Sequence, residues 1–155
     1  MLTLTSVTGS LAANKAVVTR HFEEVLNQGC LEVIDVIYTE DYVLDAPIQS
    51  DGSTAAQGRT RGRQGLKERV TLFRTAFPDI HFSLDSVVAE EDKVAVQYRF
   101  LGTHKGQFLG LAPTGNRIDI GGMLIARLVD DQIDSAWSVF DSGQLMQQVR
   151  GELLA

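Results

Sequence analysis

The spacing of apolar residues along the chain changes near residue 80. Before that point, apolar side chains recur three or four positions apart, which is typical of amphipathic helices. From Ile80 onward they alternate with polar side chains, which is typical of half-buried strands. Because helices precede a run of strands, the pattern predicts an α+β fold with helices on one face of a curved antiparallel sheet.

Three helices are predicted in the first half of the chain. Asn14 is a suitable N-cap and Gly29 ends the helical pattern, which places the first helix over residues 15–27. A second, short helix is predicted over residues 31–38. A third is predicted over residues 64–77, because its apolar residues keep the helical spacing.

Strands are predicted between and after these helices. Residues 48–63 form a polar loop between the first strand and the third helix. The pair Gly121–Gly122 interrupts a long strand and predicts a bend or bulge there. Residues 141–150 are predicted to form a closing helix. The predicted strands cover residues 41–47, 80–89, 94–100, 117–129 and 133–140.

Length and composition indicate one globular domain. The chain has 155 residues, and at this length a hydrophobic core forms without disulfides or structural metals. Residues 1–13 are expected to be a flexible tail, and residues 14–155 are expected to form the domain. The net charge of −6 argues against a nucleic-acid partner, which would need a basic face.

Several sequence features bear on the compartment. The N-terminal segment lacks the pattern of a signal peptide, and no stretch approaches the roughly 20 apolar residues of a membrane span. The sole cysteine, Cys30, cannot form an internal disulfide, which favours a reducing compartment. Cys30 is either a nucleophile or a small apolar residue beside a helix end. These features predict a cytoplasmic protein without a membrane partner.

A glycine-rich segment connects two of the predicted long strands. Residues 101–115 read LGTHKGQFLGLAPTG, an order too specific for an ordinary hairpin. Phe108, Leu109 and Leu111 are expected to pack back over the sheet or against a partner subunit. Residues 112–115 fit a β-turn, with proline second and glycine fourth.

This connection resembles that of the SnoaL-like polyketide cyclases, also called ester cyclases, a branch of the NTF2-like fold. The resemblance implies a cone-shaped pocket between N-terminal helices and a curved antiparallel sheet. It also implies a small hydrophobic ligand or substrate, no cofactor, no metal, and a homodimer or higher homo-oligomer. The other matching features are Asp41-Tyr-Val with Pro47, Gly65-Leu66, Phe77-Pro-Asp79, and Trp137 followed by Asp141.

The chemistry implied by the resemblance depends on the last strand. Cyclases of this family close a ring by an intramolecular aldol reaction, in which a carboxylate removes a proton beside an ester carbonyl. Their His-Trp-Asp pattern corresponds here to Ala136, Trp137 and Ser138. A serine hydroxyl is too weak a base to replace the carboxylate, so the usual mechanism is in doubt.

Two ionisable residues remain as catalytic candidates. Asp141 is the nearest carboxylate, although Asp is also a favoured N-cap and here precedes a predicted helix. His104 lies in the glycine-rich connection and is either a tunable group at the pocket mouth or a histidine that holds the loop. His21 and His81 are expected at the surface or in an interface. The spacing of the three histidines does not suggest a zinc site.

Polar, aromatic and aliphatic positions facing the predicted pocket are candidate substrate-binding residues. They are Tyr42, Phe73, Tyr98, Phe108, Leu124, Trp137, Ser138 and Phe140.

The basic run from residue 59 to 69 either attracts an anionic substrate or forms a solvated face.

Two hypotheses about function follow. The first is an enzyme that cyclises, isomerises or hydrolyses a small hydrophobic carbonyl compound, with Asp141 or His104 as the acid/base group. The second is a non-catalytic binding module that kept the pocket and lost the acid/base pair. The resemblance favours the first, and Ala136 and Ser138 favour the second.

Overall fold

The computed structural model describes residues 9–46 and 59–151, which form four α-helices and a six-stranded sheet. A π-helical segment, His21–Asn27, continues the first helix, and a 3₁₀ turn, Leu31–Val33, precedes the second. This arrangement confirms the predicted α+β class. The helices are α1 (Leu11–Arg20), α2 (Ile34–Ile37), α3 (Gly62–Ala76) and α4 (Ser142–Arg150).

The sheet has the strand order β2-β1-β6-β5-β4-β3. Neighbouring strands are antiparallel except for β1 and β6, which run parallel. The expectation of a purely antiparallel sheet is therefore wrong at this one pairing, because β1 reaches β6 by a crossover. The strands are β1 (Tyr38–Asp45), β2 (Arg59–Arg61), β3 (His81–Glu90), β4 (Lys93–Thr103), β5 (Arg117–Val129) and β6 (Gln132–Phe140).

The first helix begins earlier than the sequence predicts. The Ser10 side chain accepts a hydrogen bond from the Ala13 amide at 3.0 Å and caps α1, so the expected cap at Asn14 is wrong. Asn14 is instead fully buried inside the helix. Residues 11–13, expected in the tail, are helical, whereas residues 1–8 lie outside the described part of the chain.

The loop predicted over residues 48–63 is only partly described. Residues 47–58 lie outside the described ranges, and the last five predicted loop residues form β2 and the start of α3. No helix within residues 9–46 and 59–151 is long and apolar enough to cross a membrane.

The inner face of the sheet is apolar because buried and exposed residues alternate along β4 and β5. Of the bend or bulge predicted at Gly121–Gly122, the bulge is absent, since the register with β4 continues through both glycines. A Cβ at Gly122 would lie 2.6 Å from the ring of Tyr98. Gly122 therefore makes room for the Tyr98 side chain on the inner face.

The glycine-rich connection is anchored to the end of α3. The amides of Lys105 and Gly106 both donate to the carbonyl of Ala76, at 3.0 and 3.1 Å. A Cβ at Gly106 would overlap the carbonyl oxygen of Thr75, so only glycine fits there. This close approach explains one glycine of the motif.

The turn within this connection lies earlier than predicted. Phe108 and Leu111 exchange backbone hydrogen bonds across a tight turn, and Leu109 at its corner is 40% exposed. The amide of Gly115 donates to His104 rather than closing a turn over residues 112–115. Phe108 is fully buried, as expected, whereas Leu109 is not.

Replacing Gly106 with alanine tests how tightly this connection is held. Gly106→Ala is expected to lower the free energy of unfolding by about 2 kcal/mol or more, because the backbone of α3 must move. The control is Gly143→Ala in α4, where a Cβ would meet only Asp141 Oδ1 at 3.7 Å, an ordinary contact. Urea denaturation measures both, and equal stability of the two variants would contradict the close packing described here.

Candidate functional site

A cavity of about 80 Å³ lies between the inner face of the sheet and the helices. Its wall is formed by the π-helical segment, α3 and every strand except β2, and most of its side chains are aliphatic or aromatic. Five polar side chains interrupt this apolar wall: His21, Tyr42, Arg69, Tyr98 and Ser138. A small number of polar groups in a mostly apolar cavity is typical of small-molecule sites.

His21 is held by a hydrogen bond to Tyr38. The Tyr38 hydroxyl and His21 Nδ1 are 2.6 Å apart, and both residues are buried. This hydroxyl has no other partner in the described part of the chain, and when it donates to Nδ1 the ring proton of His21 is on Nε2. In that tautomer the neutral His21 presents a donor, its second ring nitrogen, rather than a free base.

Burial also decides the charge of His21. It lowers the pKa of His21 from its usual 6.5 to about 4, because the charged imidazolium would lose its hydration. His21 is therefore neutral at physiological pH.

Arg69 is a half-buried arginine whose guanidinium has no described counter-charge. Burial lowers its pKa below the usual value, and the ion pairs among the described residues do not include it. Its Cζ atom lies 5.5 Å from the centre of the Phe73 ring, a cation–π contact. The cavity wall within residues 9–46 and 59–151 contains no Asp or Glu.

Tyr98 and Ser138 meet across the inner face of the sheet. Their hydroxyl oxygens are 3.2 Å apart. Burial raises the pKa of Tyr98, although the bond with Ser138 acts in the opposite direction. Tyr98 is therefore a neutral hydroxyl, and its proton is free for a ligand when Ser138 is the donor of the bond between them.

The structure brings most of the candidate substrate-binding residues together. Phe108 packs against Phe73 and Phe77 outside the cavity wall, and Trp137 lies on the outer face of the sheet with 42% of its surface exposed. The residues that do line the cavity are Tyr42, Phe73, Tyr98, Leu124, Ser138 and Phe140.

The two candidate catalytic residues lie away from this cavity. Asp141 is exposed, and its carboxylate caps α4 by accepting a hydrogen bond from the Gln144 amide at 3.0 Å. His104 is fully buried beside Phe77, with Nδ1 2.9 Å from the hydroxyl oxygen of Thr114. These contacts agree with the interpretation of Asp141 as a helix cap and of His104 as a histidine that holds the loop.

Ala136 and Ser138 share the inner face of β6, as their spacing predicts. Ser138 lines the cavity and Ala136 is buried beside Ala126. Cys30 is half-buried and outside the cavity wall. In the described ranges, no group of three His, Cys, Asp or Glu side chains is arranged to hold a metal ion.

Sequence reasoning missed His21 as a residue of the wall and left open whether Arg69 faces a substrate or solvent. The surface position expected for His21 is wrong, since the side chain is only 6% exposed. His21 lies three residues after Val18, and Arg69 lies three residues after Leu66, so both continue the buried stripe of their helix. This spacing was the available signal, but polar residues are readily assigned to the solvent side.

The low pKa of His21 predicts acid sensitivity. Above pH 6.5 the imidazole is neutral in both states, whereas between pH 6.5 and 4 only the unfolded chain takes up the proton. The free energy of unfolding should therefore decrease as the pH is lowered from 6.5 to 4. The contribution of His21 to this decrease is up to about 3 kcal/mol. In His21→Gln this part of the fall should disappear, as measured by urea denaturation across that range.

The matched control is His81→Gln, which replaces an exposed histidine on β3. His81→Gln should keep the pH dependence of the unmodified protein. If His21→Gln keeps it as well, His21 does not have the lowered pKa described here.

Comparisons with known proteins place the chain in a family. Its sequence matches no curated protein. A candidate SnoaL-like polyketide cyclase from Jannaschia sp. CCS1 superposes with a TM-score of 0.81 at 20% identity, over 97% of this chain and 99% of that one. At that identity the likeness shows the fold alone.

Two further solved structures are somewhat more similar in sequence. A candidate polyketide cyclase from Acidithiobacillus ferrooxidans is 25% identical, with a TM-score of 0.76 over 98% of this chain and 100% of that one. AclR, a candidate hydroxylase from Streptomyces galilaeus, is also 25% identical. Its TM-score is 0.75, over 94% of this chain and 89% of that one. The family model for SnoaL-like polyketide cyclases matches residues 16–149, so the chain belongs to that family.

Proposed function

We propose that the chain binds a small hydrophobic carbonyl compound in this cavity and promotes its enolisation, the step that opens an aldol ring closure. The single observation that supports this most is that the polar groups of an apolar cavity include the neutral imidazole of His21 and the neutral hydroxyl of Tyr98, each able to donate a hydrogen bond. Donors fixed in a mostly apolar cavity stabilise an oxygen that gains negative charge.

Enolisation removes one proton from the bound carbonyl compound. A proton leaves the carbon beside the carbonyl and passes to solvent, while the C–H electron pair moves into the enolate. The carbonyl oxygen, now negative, accepts hydrogen bonds from His21 and Tyr98. A neutral imidazole serves this purpose because it polarises the carbonyl without giving up its proton.

The second candidate function is a non-catalytic binding module. It is favoured by the lack of a carboxylate in the described cavity wall and by the capping role of Asp141. In that case the same donors would hold the carbonyl of a ligand that leaves unchanged.

Proton exchange distinguishes the two functions. With methyl acetoacetate in D₂O, the protein should accelerate deuterium uptake at the carbon between the carbonyls, as followed by ¹H NMR. Tyr98→Phe removes one donor and should slow the catalysed exchange about a hundredfold. Binding of the probe without faster exchange would favour the binding module and contradict enolisation.

The control variant is Thr71→Val. It removes a hydroxyl on the exposed side of α3 that bonds to the Lys67 carbonyl, outside the cavity wall. It should leave the exchange rate unchanged, and an equal loss in both variants would mean that Tyr98 has no special role.

We also propose that two copies associate through the outer face of the sheet. An exposed apolar row runs in register across four strands there, with Ile125 and Trp137 at 39% and 42% exposure. The pair Arg99–Asp119 lies on the same face, so an isologous contact could exchange these charges. The row consists of Val88, Ala95, Ile125 and Trp137.

A charge placed in this row should disrupt the dimer. Ile125→Lys is expected to shift the molar mass in analytical ultracentrifugation from dimer to monomer, because an unpaired charge would be buried. Leu72→Lys on α3, at a side chain 47% exposed, should not do so. A monomeric unmodified protein at all concentrations would contradict this proposal.

A further inference from the structure

Arg69 is the member of its basic run that lines the cavity, and it has no acidic partner among the described residues. Arg59 pairs with Asp45 at 2.8 Å, and Lys67 pairs with Asp35 at 2.8 Å. Arg69 instead enters the cavity wall and lies over Phe73. The run is therefore not one solvated face, because Arg69 is turned inward.

The surroundings of Arg69 make an anion the favourable occupant of this cavity. A charge that is partly withdrawn from water is unfavourable unless it is paired, and the described wall supplies hydroxyls and one neutral imidazole but no carboxylate. The planar guanidinium matches a carboxylate group, which it binds through two parallel hydrogen bonds. A ligand that brings a carboxylate supplies the missing partner.

The remaining wall restricts the rest of the ligand. Leu66, Val70 and Phe140 are among the apolar side chains around the guanidinium and the hydroxyls. The volume of about 80 Å³ is roughly half of the ~150 Å³ cavity that holds benzene, so it encloses only part of the ligand and the whole ligand is short. The carbonyl donors His21 and Tyr98 line the same space.

We infer that this site takes a small hydrophobic keto acid, whose carboxylate pairs with Arg69 and whose ketone faces His21 and Tyr98. The inference rests on the proposed function in one respect, that the cavity is the ligand site. It adds that the ligand is anionic before any reaction, and that Arg69 determines this specificity.

A pair of probes that differ by one ester methyl group tests the charge. Levulinate has a ketone and a carboxylate, whereas methyl levulinate has the ketone and a neutral ester. Isothermal titration calorimetry should show levulinate binding at least tenfold more tightly than the ester. Equal or tighter binding of the ester would overturn the inference.

Three arginine variants locate the effect. Arg69→Met keeps an apolar side chain of similar length and should abolish the preference for levulinate, with the ester bound as before. Arg69→Lys keeps the charge without the planar fork and should keep a reduced preference. Arg150→Met, at an exposed position in the last turn of α4 outside the cavity wall, should keep the full preference. A preference that survives in Arg69→Met would overturn the inference.

The proposed function and this inference can fail separately. If levulinate binds with the expected preference but methyl acetoacetate exchanges no faster than in buffer, the anionic site stands and enolisation is contradicted. If exchange is accelerated but the ester binds as well as the acid, enolisation stands and the role of Arg69 is overturned.

Discussion

The burial of hydrogen-bond donors in an apolar cavity is the constraint on which the account of this site depends. His21, Arg69 and Tyr98 line the same space, and acidic side chains are absent from its described wall. The protonation or the position of each donor is determined by a local contact or by burial. The Tyr38 hydroxyl forms a hydrogen bond with Nδ1 of His21, and Gly122 leaves room for the Tyr98 ring. A site rich in donors favours a ligand that brings acceptors.

The sequence predicted the elements of the fold well because their periodicity is strong. The change of period near residue 80 separated the helices from the long strands, and the closing helix was expected where Asp141 caps it. Long-range pairing left no such signal. Nothing in residues 38–45 indicates that β1 runs parallel to β6, and the Gly121–Gly122 pair fits a bulge as well as it fits space for a ring.

The candidate site was predictable where strands form it and less so where helices do. Alternation along β4 and β6 places Tyr98 and Ser138 on the inner face, as expected. His21 was missed as a site residue, and the role of Arg69 was left open, because a polar residue on a helical stripe can turn to either side of it. Trp137 shows the opposite error, since its aromatic ring suggested the pocket but its register places it outside.

The ¹⁵N NMR spectrum of the side chains tests the central claim most directly. In protein labelled with ¹⁵N, the His21 ring should show a protonated Nε2 and an unprotonated Nδ1 at neutral pH. Addition of levulinate should then shift His21 Nε2 and Arg69 Nε together, with one dissociation constant. A proton on His21 Nδ1, or a titration that moves neither signal, would contradict the account of a donor-lined cavity that binds a keto acid.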